Sequence, residues 1–264
     1  MPDGAKKIRL RSVFLSDVHL GSRDCRAREL LQFLDTFEAD YLFLVGDIVD
    51  FWSLRRSFYW PAEHNEVLRA ILSKAHEGTK IIYVPGNHDD NMREFCGSLF
   101  GNLSIRRKYV HATADGREFL VMHGDEFDTV VKCSRWLAQF GAWAYELMMR
   151  LNRSVNGGRR ALGMPYWSLA TYLKLRLPKA VRYVAAFEHA AAQAARARKL
   201  HGIVCGHIHR PSMREIEGVL YCNDGDWVES CTALVEAGNG QLSLWHAEKM
   251  QGLAEEEHLL EVAA

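Results

Sequence analysis

Aspartate, asparagine and histidine recur in this chain at the ends of short apolar runs. Asp17 and His19 follow Val13-Phe14-Leu15, and Asp47 and Asp50 follow Tyr41-Leu42-Phe43-Leu44-Val45. Asn87, His88 and Asp89 follow Ile81-Ile82-Tyr83-Val84, His123 and Asp125 follow Phe119-Leu120-Val121-Met122, and His207 and His209 follow Ile203-Val204-Cys205. Carboxylate, amide and imidazole make a mixed oxygen and nitrogen donor set, which suits Mn, Fe or Zn better than Ca or Mg. The Asp-x-His spacing puts two donors on one side of an extended segment. An anionic carboxylate at Asp47 can bridge two cations. Asp17, His19, Asp47, Asn87, His123, His207 and His209 are too many ligands for one tetrahedral ion and suit two ions roughly 3.5–4 Å apart. Such a pair lowers the pKa of a shared water and holds both sides of an in-line displacement at phosphorus. Each piece alone is weak, because a lone Asp-x-His is commonly a capping feature and a lone histidine after a strand commonly a hydrogen-bonded core residue. Their joint occurrence, each behind an apolar run, is specific.

The elements that must position these residues are legible as strands. Runs of that length, rich in β-branched and aromatic residues and closed by Gly or Pro, read as buried strands. The ends of parallel strands share one edge of a sheet, where ligands bind. The reading in chain order is a strand at 8–16, a helix from Ala27 to Phe37, and a strand at 41–46. An aromatic and basic stretch at 51–60 precedes a helix at about 62–77, with Pro61 near its start and Gly78 past its end. A strand at 80–84 and a short helix at 91–100 come next. Asp115-Gly116 predicts a hairpin between 108–113 and 117–122. Strands at 202–205, 211–217, 219–223, 231–236 and 241–246 close the chain, with Asn239-Gly240 at the last turn. The tail from Glu255 onward is expected to be frayed.

Residues 126–190 break the rhythm. Trp136, Phe140, Trp143, Leu147 and Leu151 form a helical stripe, widened by Leu137, Ala144 and Met148, which is more apolar surface than one core-facing helix needs. A basic, glycine-rich break at 156–160 and an alanine-rich helix near 179–199 follow. The segment reads as a helical insertion; an ordinary pair of layer helices is the alternative.

Composition sets limits. The chain has 264 residues, 48% of them hydrophobic, so one large domain can bury a sizeable core. Its formal net charge of zero argues against a general electrostatic nucleic-acid binder. The cysteines at 25, 96, 133, 205, 222 and 231 show no CxxC spacing, which fits a reducing compartment rather than a disulfide framework. With no signal-like segment and no apolar run of about 18 residues, the sequence predicts a cytoplasmic protein without a transmembrane helix.

Together, Asp17-x-His19, Gly46-Asp47-x-x-Asp50, Gly86-Asn87-His88-Asp89, His123-Gly124-Asp125 and Gly206-His207-x-His209 resemble the full signature of the calcineurin-like metallophosphoesterases. The resemblance spans residues 16 to 209. It implies an α/β fold, a four-layer α/β/β/α sandwich of two facing sheets, here one domain over 1–264 with the insertion as a helical cap. It implies one metal on Asp17, His19, Asp47 and His209 and another on Asp47, Asn87, His123 and His207, with Mn2+ the expected ion and Fe or Zn the alternatives. It places His88 beside the metals, contacting phosphate or protonating the leaving group, work that suits a histidine near neutral pKa. Asp89 is expected to orient His88. Asp50 is expected to act behind the ligands, or else as a loop cap.

Within the family the chain is similar to the UDP-2,3-diacylglucosamine pyrophosphohydrolases of lipid A biosynthesis, through Ser16–Ser22, Tyr59-Trp60-Pro61-x-x-His64-Asn65, His123–Asp128 and Gly225-Asp226-Trp227-Val228-Glu229. It departs from that group at His88, where the group carries Arg. The resemblance implies a lipid-linked nucleotide-sugar substrate and release of UMP. Independently, the apolar stripe of Trp136, Phe140, Trp143 and Leu147, flanked by Arg and Lys, suits an anionic amphiphile or a membrane surface, which would make the protein peripheral on the inner face of the membrane. Arg55 and Arg56 could pair with a diphosphate, or be a solvated turn. The competing readings are a phosphoesterase acting on another phospholipid, a nucleotide or nucleic acid, and a non-catalytic lipid-binding protein on the same fold.

Overall fold

The computed structural model describes residues 7–129, 155–156, 158–159, 162, 164 and 178–247. The Trp136–Leu151 stripe and the tail from Glu255 lie outside the described residues. The chain divides into two compact units, residues 1–125 with 192–264, and residues 126–191.

The described strands of the first unit are, in chain order, β1 (Ile8–Leu15), β2 (Phe37–Leu44), β3 (Lys80–Tyr83), β4 (Leu99–Phe100), β5 (Leu103–Ile105), β6 (Tyr109–Ala112), β7 (Glu118–Val121), β8 (Gly202–Cys205), β9 (Ser212–Ile216), β10 (Val219–Asn223), β11 (Thr232–Glu236) and β12 (Leu242–His246). They form a seven-stranded sheet in the order β12-β11-β1-β2-β3-β5-β4 and a five-stranded sheet in the order β6-β7-β8-β10-β9. The pairs β1·β2, β2·β3 and β3·β5 are parallel, and so are β7·β8 and β8·β10. Within each sheet this sends the C-terminal strand ends, and the loops carrying Asp and His, to one edge.

The two sheets face each other across an apolar layer. Phe14, Phe43, Val45, Ile82 and Val84 meet Phe119, Val121, Val204 and Cys222 there, with the Phe14 and Phe43 rings stacked at 4.5 Å. Each such side chain contributes roughly 1.5–3 kcal/mol when removed from water. One polar cluster interrupts the layer. Glu236 Oε2 accepts from Ser12 Oγ and lies against His111 Nε2, each at 2.7 Å, while Oε1 accepts from Ala114 N and lies 3.1 Å from Arg11 Nε. The outer face of the seven-stranded sheet carries α1 (Ala27–Asp35) and α3 (Ala62–His76); between them in sequence is the short α2 (Phe51–Arg56). Leu30, Phe33 and Leu34 of α1 and Val67 and Ile71 of α3 are buried in a second core with Leu15, Leu42 and Trp227. This is the α/β order expected. A further helix, α4 (Pro178–Arg196), leads into β8. Among the described residues no helix is long and apolar enough to cross a membrane.

Three local expectations shift. Phe37 keeps helical spacing with Leu30 and Phe33, yet α1 ends at Asp35 and Phe37 opens β2, paired with Ile8. Its carbonyl accepts from buried Lys74 Nζ at 2.8 Å, and burial lowers that amine to about 8. The expected helix at 91–100 is a 3-10 helix, Asp90–Phe95, followed by the small β4–β5 hairpin. Strands that short carry no alternation to read. Residues 51–56, read only as an aromatic and basic stretch, form α2.

Candidate metal centre

The ligand candidates come from the loops after β1, β2, β3, β7 and β8. The backbone there is held in an uncommon conformation. Asp17, His19, Asp47, His207 and His209 all have φ between 49° and 71°, the left-handed region that non-glycine residues occupy only when their surroundings dictate it. Hydrogen bonds between the loops supply that dictation: Asp17 N donates to Gly46 O at 3.0 Å and His19 N to Asp47 O at 2.9 Å. The motif glycines are needed for close approach. A Cβ on Gly86 would overlap Asp47 Oδ1 and the His123 ring, and one on Gly206 would overlap Ser16 Oγ and Asp17 Oδ2.

Two triads result. Asp17, His19 and His209 form one, with His209 Nε2 at 3.1 Å from Asp17 Oδ1 and 3.4 Å from His19 Nε2. Asp47, His123 and His207 form the other, with His123 Nε2 at 3.3 Å from Asp47 Oδ2. His19, Asp47 and His88 bring donor atoms within 4.8 Å of one another between them. His123 Nδ1 is 2.8 Å from Val45 O, which leaves Nε2 for the centre.

Electrostatics match a cation site. Burial alone would raise the Asp17 and Asp47 carboxyls, but His209 beside Asp17 and His123 beside Asp47 outweigh it and hold both below the ordinary carboxylate range. Burial would lower His123, yet the Asp47 carboxylate holds it well above the ordinary value. The charged form of His123 is therefore favoured beside the Asp47 carboxylate, and a divalent ion would supply positive charge there in its place. Asn87 Oδ1 is buried with no hydrogen-bond partner among the described residues, and His123 Nε2 is buried against the Asp47 carboxylate. Buried polar atoms of this kind are costly unless something else completes them. The oxygen and imidazole donor set, the triads and these atoms fit divalent metal ions.

His88 sits beside the triads with its Nδ1 3.0 Å from Asp50 Oδ1. Burial would lower it, but the Asp50 hydrogen bond raises its pKa above the ordinary histidine value. The half-exposed Trp52 indole lies over its ring, centroids 4.2 Å apart. Asp50 also lies 3.2 Å from His19 Nδ1 and caps α2 by accepting from Ser53 N at 2.8 Å. Asp89 differs from expectation: its carboxylate accepts from Ile48 N at 2.8 Å, from Gly86 N at 2.6 Å and from Tyr83 Oη, and so fixes the Asp47 loop rather than His88. Both carboxylates are buried, and what separates them is their partners: backbone amides and Tyr83 take up Asp89, while Asp50 faces the His19 and His88 rings. Arg55 and Arg56 are exposed, with Arg55 Nη2 on Asn91 Oδ1 at 3.1 Å. Trp136, Phe140, Trp143 and Leu147 lie outside the described residues.

Sequence reasoning gave no role to Ser16, Asn223 and Asp224, which stand directly behind the ligand candidates. The signal was present: Tyr221-Cys222-Asn223-Asp224-Gly225-Asp226 is one more strand ending in Asn and Asp.

The family model for calcineurin-like phosphoesterases matches residues 10–211. The chain belongs to that family. As a calcineurin-like phosphoesterase it is a metal-dependent phosphoester hydrolase working with divalent ions. Relatives named UDP-2,3-diacylglucosamine hydrolase are similar to it at low identity. That of Serratia proteamaculans is 24% identical over 78% of this chain and 85% of its own length. That of Neisseria gonorrhoeae is 27% identical over 82% and 89%. A solved archaeal phosphodiesterase aligns at 12% identity with a TM-score of 0.43, covering 89% of this chain and 98% of its own.

Proposed function

We propose that the chain is a two-ion hydrolase that cleaves the pyrophosphate of a UDP-2,3-diacylglucosamine-like lipid-linked nucleotide sugar, releasing UMP and a lipid phosphate. The observation that carries the two-ion reading is the pair of triads, Asp17-His19-His209 and Asp47-His123-His207, at one strand-end edge. The relatives' names support the substrate. Asn87 would complete the second triad and Asp47 would bridge. Bound ions, Mn2+ by preference, supply charge to phosphoryl oxygens and lower the pKa of a nucleophilic water.

The chain's own residues do the rest. Asp50 holds His88 by Nδ1, leaving Nε2 for a phosphoryl oxygen or the leaving group. The Asp50 hydrogen bond raises the His88 pKa, which favours the proton-donating form of the ring. Arg55 and Arg56, exposed and close in sequence to Asp50, would meet a diphosphate in this reading. In this reading the expected helical cap at 126–190, with Trp136, Phe140, Trp143 and Leu147, would take the acyl chains. The protein would then act in the cytoplasm at the inner membrane face.

His88, where the pyrophosphohydrolase group carries Arg, favours a second reading: a phosphodiesterase or phosphatase of another phospholipid, nucleotide or nucleic acid. Purified protein with Mn2+ and UDP-2,3-diacylglucosamine separates the two. UMP release supports the first reading. Turnover of soluble chromogenic phosphodiesters with no UMP release moves the assignment to the second.

A further inference from the structure

The loop that follows β10 belongs to none of the ligand motifs, yet it meets two of the ligand loops at once. Asn223 and Asp224 are fully buried at its start. Asn223 Nδ2 donates to Gly206 O at 2.7 Å, in the loop that carries His207 and His209. Asp224 Oδ1 accepts from Ser16 Oγ at 2.6 Å, in the loop that carries Asp17. The Ser16 hydroxyl also lies 3.2 Å from Gly225 O, and Trp227 N donates to Asp17 O at 3.0 Å.

The two ligand loops touch at this point. His207 N donates to Asp17 Oδ2 at 2.8 Å, and Gly206 has no room for a Cβ against Ser16 and Asp17. Asp17 arrives from the seven-stranded sheet and His207 from the five-stranded one, and both stand at positive φ, 50° and 71°. Conformations of that kind persist only where neighbouring groups fix them from several sides. Asn223 fixes one loop and Asp224 the other, through adjacent residues of one strand end.

The loop itself is rigid enough to serve as a reference. Asp226 Oδ1 accepts from Val228 N at 2.8 Å and from Glu229 N, and Thr232 Oγ1 donates to Asp224 O at 2.8 Å. Gly225 N donates back to Asn223 Oδ1 at 3.1 Å, which fixes the amide's orientation and leaves its NH2 for Gly206. The hydrogen bonds therefore run from a braced turn to both ligand loops.

We propose that Asn223 and Asp224, acting with Ser16, are positioning residues that set the separation of Asp17 from His207 across the two sheets. They touch neither substrate nor ion and act through the ligands. The proposal rests on the metal-centre reading above.

The test is Mn2+ affinity of metal-stripped protein, measured by competition with a chelator, beside thermal unfolding of the same metal-free samples. Asn223→Ala and Asp224→Ala are expected to weaken Mn2+ binding by about 10–100-fold, the usual scale for groups that orient ligands from behind. Asp224→Asn, which keeps an acceptor for Ser16, is expected to stay close to the wild type. Ser16→Ala removes a single hydroxyl and carries the same test should Asn223→Ala not fold. Unchanged Mn2+ affinity in the alanine variants overturns the proposal, as does an affinity loss that only tracks a lower metal-free melting temperature. Wild-type protein that takes up no Mn2+, Zn2+ or Fe2+ overturns the metal-centre reading itself, and the proposal with it.

Discussion

His19 and His88 share one carboxylate. His88 Nδ1 lies 3.0 Å from one oxygen of Asp50 and His19 Nδ1 lies 3.2 Å from the other, and their rings meet edge to face at 4.7 Å. A ligand candidate and the residue proposed to act on the phosphoryl group are thereby held by the same side chain. Asp50→Ala should lower kcat/KM by about 10–100-fold through misorientation of both histidines. It should also cost about 1 kcal/mol of stability as α2 loses its cap. Steady-state kinetics beside urea unfolding check this. A stability loss without a kinetic one would leave Asp50 as a cap alone.

His88 has two readings that metal content separates. It lies in a donor group with His19 and Asp47, so it could be a ligand, and it is also placed to act on phosphate. His88→Ala is expected to keep full metal content and lose about 10²–10⁴-fold in rate, the scale of a general acid or base. Loss of metal in proportion to activity would make it a ligand instead. If it is the acid, the rate loss should shrink for aryl esters whose leaving groups need no proton.

Asp47 belongs to one triad and also groups with His19 of the other, so its removal should disturb ions on both sides. Asp47→Ala is expected to abolish turnover and weaken metal retention while the circular dichroism spectrum stays native. Near-wild-type activity in excess Mn2+ would exclude the bridging role.

Gly86 tests how tightly the ligands are packed. Its φ lies outside the left-handed region, so alanine is admissible for the backbone, and the obstacle is contact with Asp47 and the His123 ring. Gly86→Ala should cost about 1–3 kcal/mol, the usual scale of overpacking, and depress metal binding beyond what that destabilisation explains. A variant with normal Mn2+ affinity would show that the site yields to an added methyl group.

Much of the candidate site was readable because the ligand candidates at parallel strand ends follow apolar runs, and each run is long enough to recognise. Asp17, His19, Asp47, His123, His207 and His209 sit where those runs stop. What the sequence could not show is pairing across space. Asp89 is one residue from His88, yet it accepts from Ile48 N and Gly86 N, while Asp50, thirty-eight positions from His88, reaches the ring. The β4–β5 hairpin was missed because two and three residues hold no period. Phe37 was misplaced because helical spacing with Phe33 is equally met by a residue that starts a strand.

The cluster between the sheets gives a pH dependence whose sign can be worked out. Burial alone would raise the Glu236 carboxyl, but the hydrogen bonds from His111 and Ser12 outweigh it and hold it below the ordinary glutamate value of 4.5. Arg11 faces the same carboxylate. A carboxyl with a lowered native pKa binds fewer protons folded than unfolded near that pH, so its stabilisation is full above 4.5 and is lost as pH falls through the native value. Glutamine at this position resembles the protonated acid in shape and charge. Glu236→Gln should therefore be less stable than the wild type at pH 7, by about 2–3 kcal/mol for lost charge-assisted hydrogen bonds. The gap should close as the wild type becomes protonated below pH 4.5. Urea unfolding of both proteins from neutral pH down through this range measures it. Other carboxylates titrate in both proteins and cancel in the difference. A gap that stays constant with pH would mean that the loss comes from packing of the amide and not from the charge, and would remove the ion cluster from the account of how the two sheets are held.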